Sequence, residues 1–321
     1  MAGEPDEVFY AHLTRELARG RFTPFLGAGV NLVGIDVRQD FLPGARLPSS
    51  AELATALADE YHYPGGGKDL DLVRVAQWVY SRLGSETLYE WLHSVFDHDF
   101  PPTSMHDVIA SMPAVVRSQP MAEFPLIITT NYDDALERAF ADRGEPFDVL
   151  TYVATQGNIG RFRHTDENGH TQIIKSANRY RGVTLTERSA ILKLHGAVHR
   201  ESQAALEDDS YVVTEDDYME CLTRTDIVGY LPPAVARRMH SCHYLFLGYS
   251  LRDWNLRAML HRIWRDRAKQ NNSWAIVSEP DPLEVEAWRS RDVEMYDLDL
   301  GAFAARLSSE FDSILERSAA P

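Results

Sequence analysis

The strongest constraint on how this chain folds is an alternation. Short, almost wholly apolar runs end in polar turns, and helical patterns follow them. Phe22-Thr23-Pro24-Phe25-Leu26, the run "PLIITT" ending at Thr130, "SAILKLHG" ending at Gly196 and "HYLFLGYS" ending at Ser250 are the clearest cases, and "FDVLTY", "YVV", "SWAIVS" and "VEMYDL" read as further strands. A run that is apolar at nearly every position suits a strand buried on both faces. Strands of that kind alternating with helices predict an α/β fold, a mostly parallel sheet with helices on both faces.

The helices are punctuated by recognisable signals. Residues 6–19 carry apolar positions at helical spacing with acids in the first turn. Ser49-Ser50-Ala51-Glu52 is a capping box, predicting a helix to about Tyr61. "PGGGK" at 64–68 lacks the Gly-Lys-Ser/Thr finish of a nucleotide P-loop and reads as a turn. Residues 69–112 then hold three helical patterns with no strand between them, so a small helical lobe interrupts the alternation. The polar stretch 156–182 reads as irregular chain between two strands. The expectation is one domain over residues 1–321 with a helical insertion at about 64–118.

Composition removes several classes of function. The 48 acidic side chains outnumber the 32 basic ones, for a formal charge of -16, and such a surface repels phosphate backbones, so direct nucleic-acid binding is not expected. No apolar run is long enough to cross a bilayer and the N-terminus lacks the basic start of a signal peptide, which predicts a cytoplasmic protein without membrane attachment. Cys221 and Cys242 are the only cysteines, so a four-thiolate zinc ribbon cannot be assembled and no metal site is expected.

In parallel α/β sheets, ligands bind beyond the carboxyl ends of the strands. That rule selects four turns: Gly27–Asn31, Thr129–Asp133, His195-Gly196 and Gly248–Ser250. Each has two readings. Gly27-Ala28-Gly29 is either a plain turn or a place where something comes closer to the backbone than a side chain permits, such as a pyrophosphate. Thr130 or Asn131 caps the helix beginning near Asp133, or points at a ligand hydroxyl. His195 is a satisfied core histidine or a group that exchanges a proton near neutral pH. Ser250 and Asp253 open a helix with Asn255 in its first turn, or face a ligand. Four such turns at one edge offer a glycine cradle, polar groups for ribose hydroxyls and one imidazole, the makings of a dinucleotide site.

At these residues the sequence resembles the sirtuin family, in particular its zinc-less bacterial branch associated with anti-phage defence. The likeness runs in order through "FLGAGVN", "ITTNYDDALE", "LKLHG", "VVTEDDY" and "FLGYSLRDWNLR". It implies a Rossmann-like domain that takes NAD as substrate. Carried over by position, Gly27, Ala28 and Gly29 approach the diphosphate, with Asn31 where sirtuin deacylases place serine. Asn131 and Asp133, beside Thr130, match the asparagine and aspartate around the nicotinamide ribose, and His195 matches the catalytic histidine. Gly248 and Ser250, with Asn255 after them, match the turn near the adenosine ribose. Lacking zinc ligands, the chain is expected to be an NAD hydrolase releasing nicotinamide and ADP-ribose or a cyclic product. NAD-dependent protein deacylation and non-catalytic NAD or ADP-ribose sensing are the alternatives. The resemblance further implies an effector that depletes NAD, a homo-oligomer, and an activating partner such as a nucleic-acid-translocating ATPase or an Argonaute-type protein.

Overall fold

The computed structural model describes residues 5–36, 38, 40–65, 70–119, 122–155, 157–200, 209–223, 228–249, 257, 258, 260, 261, 264 and 272–319. Helix α1 (Glu7–Ala18) leads into strand β1 (Phe22–Leu26) and a short 3-10 turn (Ala28–Leu32). Helices α2 (Ser50–Glu60), α3 (Leu72–Leu83), α4 (Ser85–Phe96) and α5 (Ser104–Arg117) follow before β2 (Leu126–Thr129) and α6 (Ala135–Asp142). Then come β3 (Phe147–Tyr152), β4 (Phe162–Thr165), β5 (Thr171–Ile173), β6 (Ser189–Lys193), β7 (Gly196–Ala197), β8 (Ser210–Tyr211) and α7 (Glu215–Thr223). The chain ends with α8 (Pro233–Ser241), β9 (His243–Leu247), β10 (Ser273–Val277), α9 (Pro282–Arg289), β11 (Val293–Asp297) and α10 (Leu300–Ala319).

Nine strands form one sheet in the order β11-β10-β9-β1-β2-β6-β3-β4-β5, while β7 and β8 pair separately. The pairings from β11 through to β3 are parallel, and β4 and β5 continue the sheet antiparallel. The fold is therefore the α/β, Rossmann-like arrangement that the alternation predicts. β4 and β5 are the departure. They lie in the polar stretch read as irregular: β4 has one apolar residue, Phe162, among its four, and β5 is a short edge strand with exposed Thr171 and Gln172.

Alternate strand residues serve opposite layers. Phe25, Ile128, Leu192, Tyr244, Phe246 and Ala275 pack with α7, α8 and α9 through Tyr218, Met239 and Trp288. Their neighbours Leu26, Ile127, Ile191, Leu245, Leu247 and Ile276 pack with α1, α5, α6 and α10 through Leu13, Ile109, Phe140 and Phe303. Helices α2, α3 and α4 gather a third core of their own, which reaches the sheet edge at Tyr132, Ala135, Val198 and Tyr211. Helix α5 runs past Met112, where the sequence pattern stops, through buried Pro113 to Arg117, because Val115 and Val116 continue its buried face.

The strand order places β9, β1, β2 and β6 side by side, so all four selected turns leave the same edge of the sheet. Two of those turns meet backbone to backbone. The Gly29 N–H donates to the Gly248 carbonyl at 3.0 Å, and the Gly27 N–H donates to the Leu247 carbonyl at 2.9 Å. A Cβ on Gly27 or Gly29 would lie 2.8 Å from Gly248 backbone atoms, and one on Gly248 would lie 2.4 Å from the Val30 nitrogen. What comes close to the first glycine turn is therefore the turn after β9. Gly248 also has φ +73°, in the left-handed region that L side chains adopt at a cost. Gly144 is the control, with φ +64° and open space around a Cβ. Gly144→Ala should cost about 1–2 kcal/mol from backbone strain alone. Gly248→Ala should cost about 2–5 kcal/mol, since a steric clash adds about 1–3. Urea unfolding of the two variants, with equal losses counting against this account, checks the difference.

Candidate active site

The polar side chains at the rim are held by one another. Asn31, on the turn after β1, is buried and donates through Nδ2 to Asp133 Oδ2 at 2.9 Å. The other Asp133 oxygen accepts the Ala135 N–H at 3.1 Å, which fixes the carboxylate at the start of α6. The Asp133 carbonyl accepts from Lys193 Nζ, and the same ammonium pairs with Glu137 at 2.7 Å. Lys193 is 2% exposed, so this cation is buried with its partners beside it, as a buried charge requires. The structure departs from the capping expected of Thr130 or Asn131: α6 begins after Asp134 with no side-chain cap bond, and it is Asp133 that fixes the helix start and faces the neighbouring loop.

Asn131 is buried, and its Nδ2 reaches back to the Gly27 carbonyl at 3.3 Å. Its own N–H donates to Thr129 Oγ1 at 3.0 Å. Thr130 takes a different neighbour, its hydroxyl lying 2.5 Å from the Tyr249 hydroxyl across the rim. At the start of α5, Thr103 donates to the Val30 carbonyl at 2.8 Å and bonds His106 Nδ1 at 3.0 Å. His106 is buried, which pushes its pKa down, while the nearby Asp133 carboxylate pulls it up. Sequence reading left Lys193, Tyr249 and His106 aside. The signal for Lys193 was present as a lone cation within the buried strand "SAILKL".

The glycine cradle needs correction. The amides of Gly27 and Gly29 are engaged by Leu247 and Gly248, and that of Val30 by the Gly27 carbonyl at 3.1 Å. Three of the amides expected to receive a diphosphate already have protein partners, because the turn closes on β9 and on itself. Ala28 heads the 3-10 turn, with Gly27 before it offering no side-chain cap. Gly248 is in place beside it, whereas Ser250 and Asn255 lie outside the described residues.

His195 follows β6 directly and is 6% exposed. Its carbonyl accepts the Val212 N–H at 2.8 Å, which ties it to the segment after β8. The ring meets Tyr218 edge-on, with centroids 5.2 Å apart, and Nδ1 lies 3.4 Å from the Tyr218 hydroxyl. Nε2 is buried and has no hydrogen-bond partner among the described residues. Burial holds the imidazole pKa down to about 3, so the ring is neutral at physiological pH. An uncharged imidazole with an unpartnered nitrogen, beside a carboxamide turn, can accept a proton from a bound hydroxyl or water.

A separate groove of about 580 Å³ lies along α6 and the β3–β4 edge, lined by Glu137, Thr151, Arg163, Lys193 and Arg200 among others. None of the nine described residues singled out from the sequence lines it. It touches the rim network only through Lys193 and Glu137.

This geometry defines an α/β protein with buried polar side chains gathered at the carboxyl rim of a parallel sheet. Residues 125–296 match the SIR2-like domain family, more than half of the chain, and the chain belongs to that family. It is similar to Defense-associated sirtuin 2 of Bacillus subtilis, at 24% identity over 85% of this chain and 22% of that protein. It is also similar to NAD(+) hydrolase ThsA of Bacillus cereus (strain MSX-D12), at 24% identity over 92% of this chain and 52% of that protein. The chain thus spans about half or less of the length of these curated relatives. Four thiolates for the zinc ribbon of sirtuin deacylases cannot come from two cysteines, and these two, Cys221 on α7 and Cys242 after α8, are both buried in the apolar core. Among the described residues, no group of three or more His, Cys, Asp or Glu could hold a metal ion, and no helix is long and apolar enough to cross a membrane.

The depressed His195 pKa gives a pH prediction. The native ring stays neutral, while the unfolded ring binds a proton below about pH 6.5, so acid favours the unfolded chain. The stabilisation is complete above about pH 7 and falls as pH drops toward 3. Relative to His195→Gln, wild type should lose about 2 kcal/mol between pH 7.5 and pH 5. Paired urea titrations at the two pH values measure this, and parallel losses in both proteins would contradict it.

Proposed function

We propose that this chain cleaves NAD at the bond between nicotinamide and ribose, releasing nicotinamide and ADP-ribose or a cyclic product. The observation that carries the reading is His195: a neutral, buried imidazole whose Nε2 lacks a partner among the described residues, just past β6, the strand next to β2 and its Asn131 turn. A relative bearing the name NAD(+) hydrolase supports the same chemistry.

In this reading NAD lies across the rim, its diphosphate at Ala28 where the 3-10 turn begins. Gly248, Ser250 and Asn255 face the adenosine ribose. The C1′–N bond breaks with its electron pair going to nicotinamide, a good leaving group because its ring nitrogen is positively charged in NAD. Positive charge develops on the ribose, and water, or the adenine base for a cyclic product, forms the new bond to C1′. Asn131 holds a ribose hydroxyl or the attacking water, and His195 Nε2 accepts the proton that is released. Asp133, fixed by Asn31 and Ala135, supports the developing charge electrostatically. The setting we propose is an effector of anti-phage defence that depletes NAD. It is cytoplasmic, self-associating and switched on by a protein partner, in keeping with the name of the defence-associated relative.

Purified His195→Ala and Asn131→Ala should each lose nicotinamide release by at least about 100-fold, with melting temperatures close to wild type. Turnover equal to wild type in both would overturn the assignment. Release that requires an acylated peptide would mark a deacylase instead, and tight NAD binding without release in any activated state would mark a sensor.

A further inference from the structure

We propose that Tyr218 is a positioning residue for His195: its hydroxyl oxygen accepts the His195 Nδ1 proton and so leaves Nε2 with the lone pair that chemistry needs. This rests on the NAD-cleaving reading above and adds to it the group that sets the state of the base.

The segment carrying Tyr218 is tied to His195 through its backbone and held in place by its own contacts. Past β8, the Val212 N–H donates to the His195 carbonyl, and the Tyr132 hydroxyl donates to the Val212 carbonyl at 2.8 Å. Two residues later Thr214 opens α7 by a reciprocal cap. The Asp217 N–H donates to Thr214 Oγ1 at 3.1 Å, and the Thr214 N–H donates to Asp217 Oδ2 at 2.9 Å. Tyr218 is one residue further on, in the first turn of α7, so backbone pairing and helix cap together aim it back at the ring. It is 7% exposed, and its ring stands at 89° to the imidazole. A side chain in that position has its orientation decided by packing, and the imidazole then has one hydroxyl within 3.4 Å of Nδ1 and nothing among the described residues at Nε2.

A neutral imidazole carries one proton, and the nitrogen without it is the acceptor. With the proton on Nδ1, the 3.4 Å contact is N–H to phenol oxygen and Nε2 is the base. With the proton on Nε2, the buried nitrogen would present a donor to the substrate and could not take up a proton. When Nε2 takes the proton from ribose or water, both nitrogens become donors. The Tyr218 oxygen then faces an imidazolium and stabilises it, where burial alone opposes that charge.

Tyr218→Phe keeps the edge-on ring and removes one oxygen. We expect kcat for nicotinamide release to fall about 10- to 100-fold, with KM for NAD within about 2-fold of wild type. Nitrogen-15 spectra of histidine-labelled protein, with His195 assigned by comparison with His195→Gln, should show the proton on Nδ1 in wild type. In Tyr218→Phe they should show a shift toward the Nε2–H tautomer. Proton on Nε2 in wild type, or an unchanged tautomer and unchanged kcat in the variant, would overturn the inference. The spectra decide the Tyr218 contact even in a protein that releases no nicotinamide. An active wild type with an indifferent Tyr218→Phe would sink this inference and leave the NAD-cleaving reading standing.

Discussion

The approach of the Gly248 backbone to Gly27 and Gly29 is what the rest of the rim depends on. A parallel sheet leaves its strand ends aligned but does not by itself bring the turns into contact, since each turn departs in its own direction. Here the turn after β1 folds back as a 3-10 element and seats against the turn after β9 with no side chain between them. The Gly27 carbonyl is then in position to receive Asn131, and the same turn carries Asn31 to Asp133. Two backbone contacts therefore locate two side chains of one further loop, Asn131 and Asp133 after β2.

The second constraint is the low dielectric around these groups. Asn31, Asn131, Asp133, Lys193 and His195 are all buried, and each polar atom there must find a partner or carry a desolvation cost. Lys193 and Asp133 satisfy much of this demand between them, through the Asp133 carbonyl and Glu137. Asn31 Oδ1, Glu137 Oε2 and His195 Nε2 are left over, buried without a partner among the described residues. Native structures leave few such groups unpaired, and each calls for an explanation, of which a bound polar group is one. Burial also keeps the imidazole neutral.

Much of this could be read from the sequence, for definite physical reasons. The strands "FTPFL", "LIIT" and "YLFL" announce themselves because burial on both faces demands an unbroken apolar run. The Ser49–Glu52 box and Thr214 cap are legible because helix starts need side-chain oxygens for orphan N–H groups. β5 escaped because an edge strand needs no apolar face, and β4 because only one of its four residues, Phe162, is apolar. The glycines were located correctly as a close approach, but the approaching group was the protein's own backbone. Local sequence shows that a side chain is missing; only the pairing of β1 with β9 shows what fills the space. Tyr218 stood inside a noted motif, yet its meeting with His195 depends on a pairing between residues 23 positions apart.

The central claim is spatial: one sugar of bound NAD is faced at once by Asn131 and His195. The direct measurement is a crystal structure of the His195→Ala protein soaked or co-crystallised with intact NAD. The account predicts density for the nicotinamide ribose at the rim of β1, β2 and β6, with a hydroxyl or its water within hydrogen-bonding distance of the Asn131 carboxamide and the vacated imidazole position beside it. NAD bound in the groove along α6, or lying at the rim with its nicotinamide ribose turned away from both positions, would contradict it.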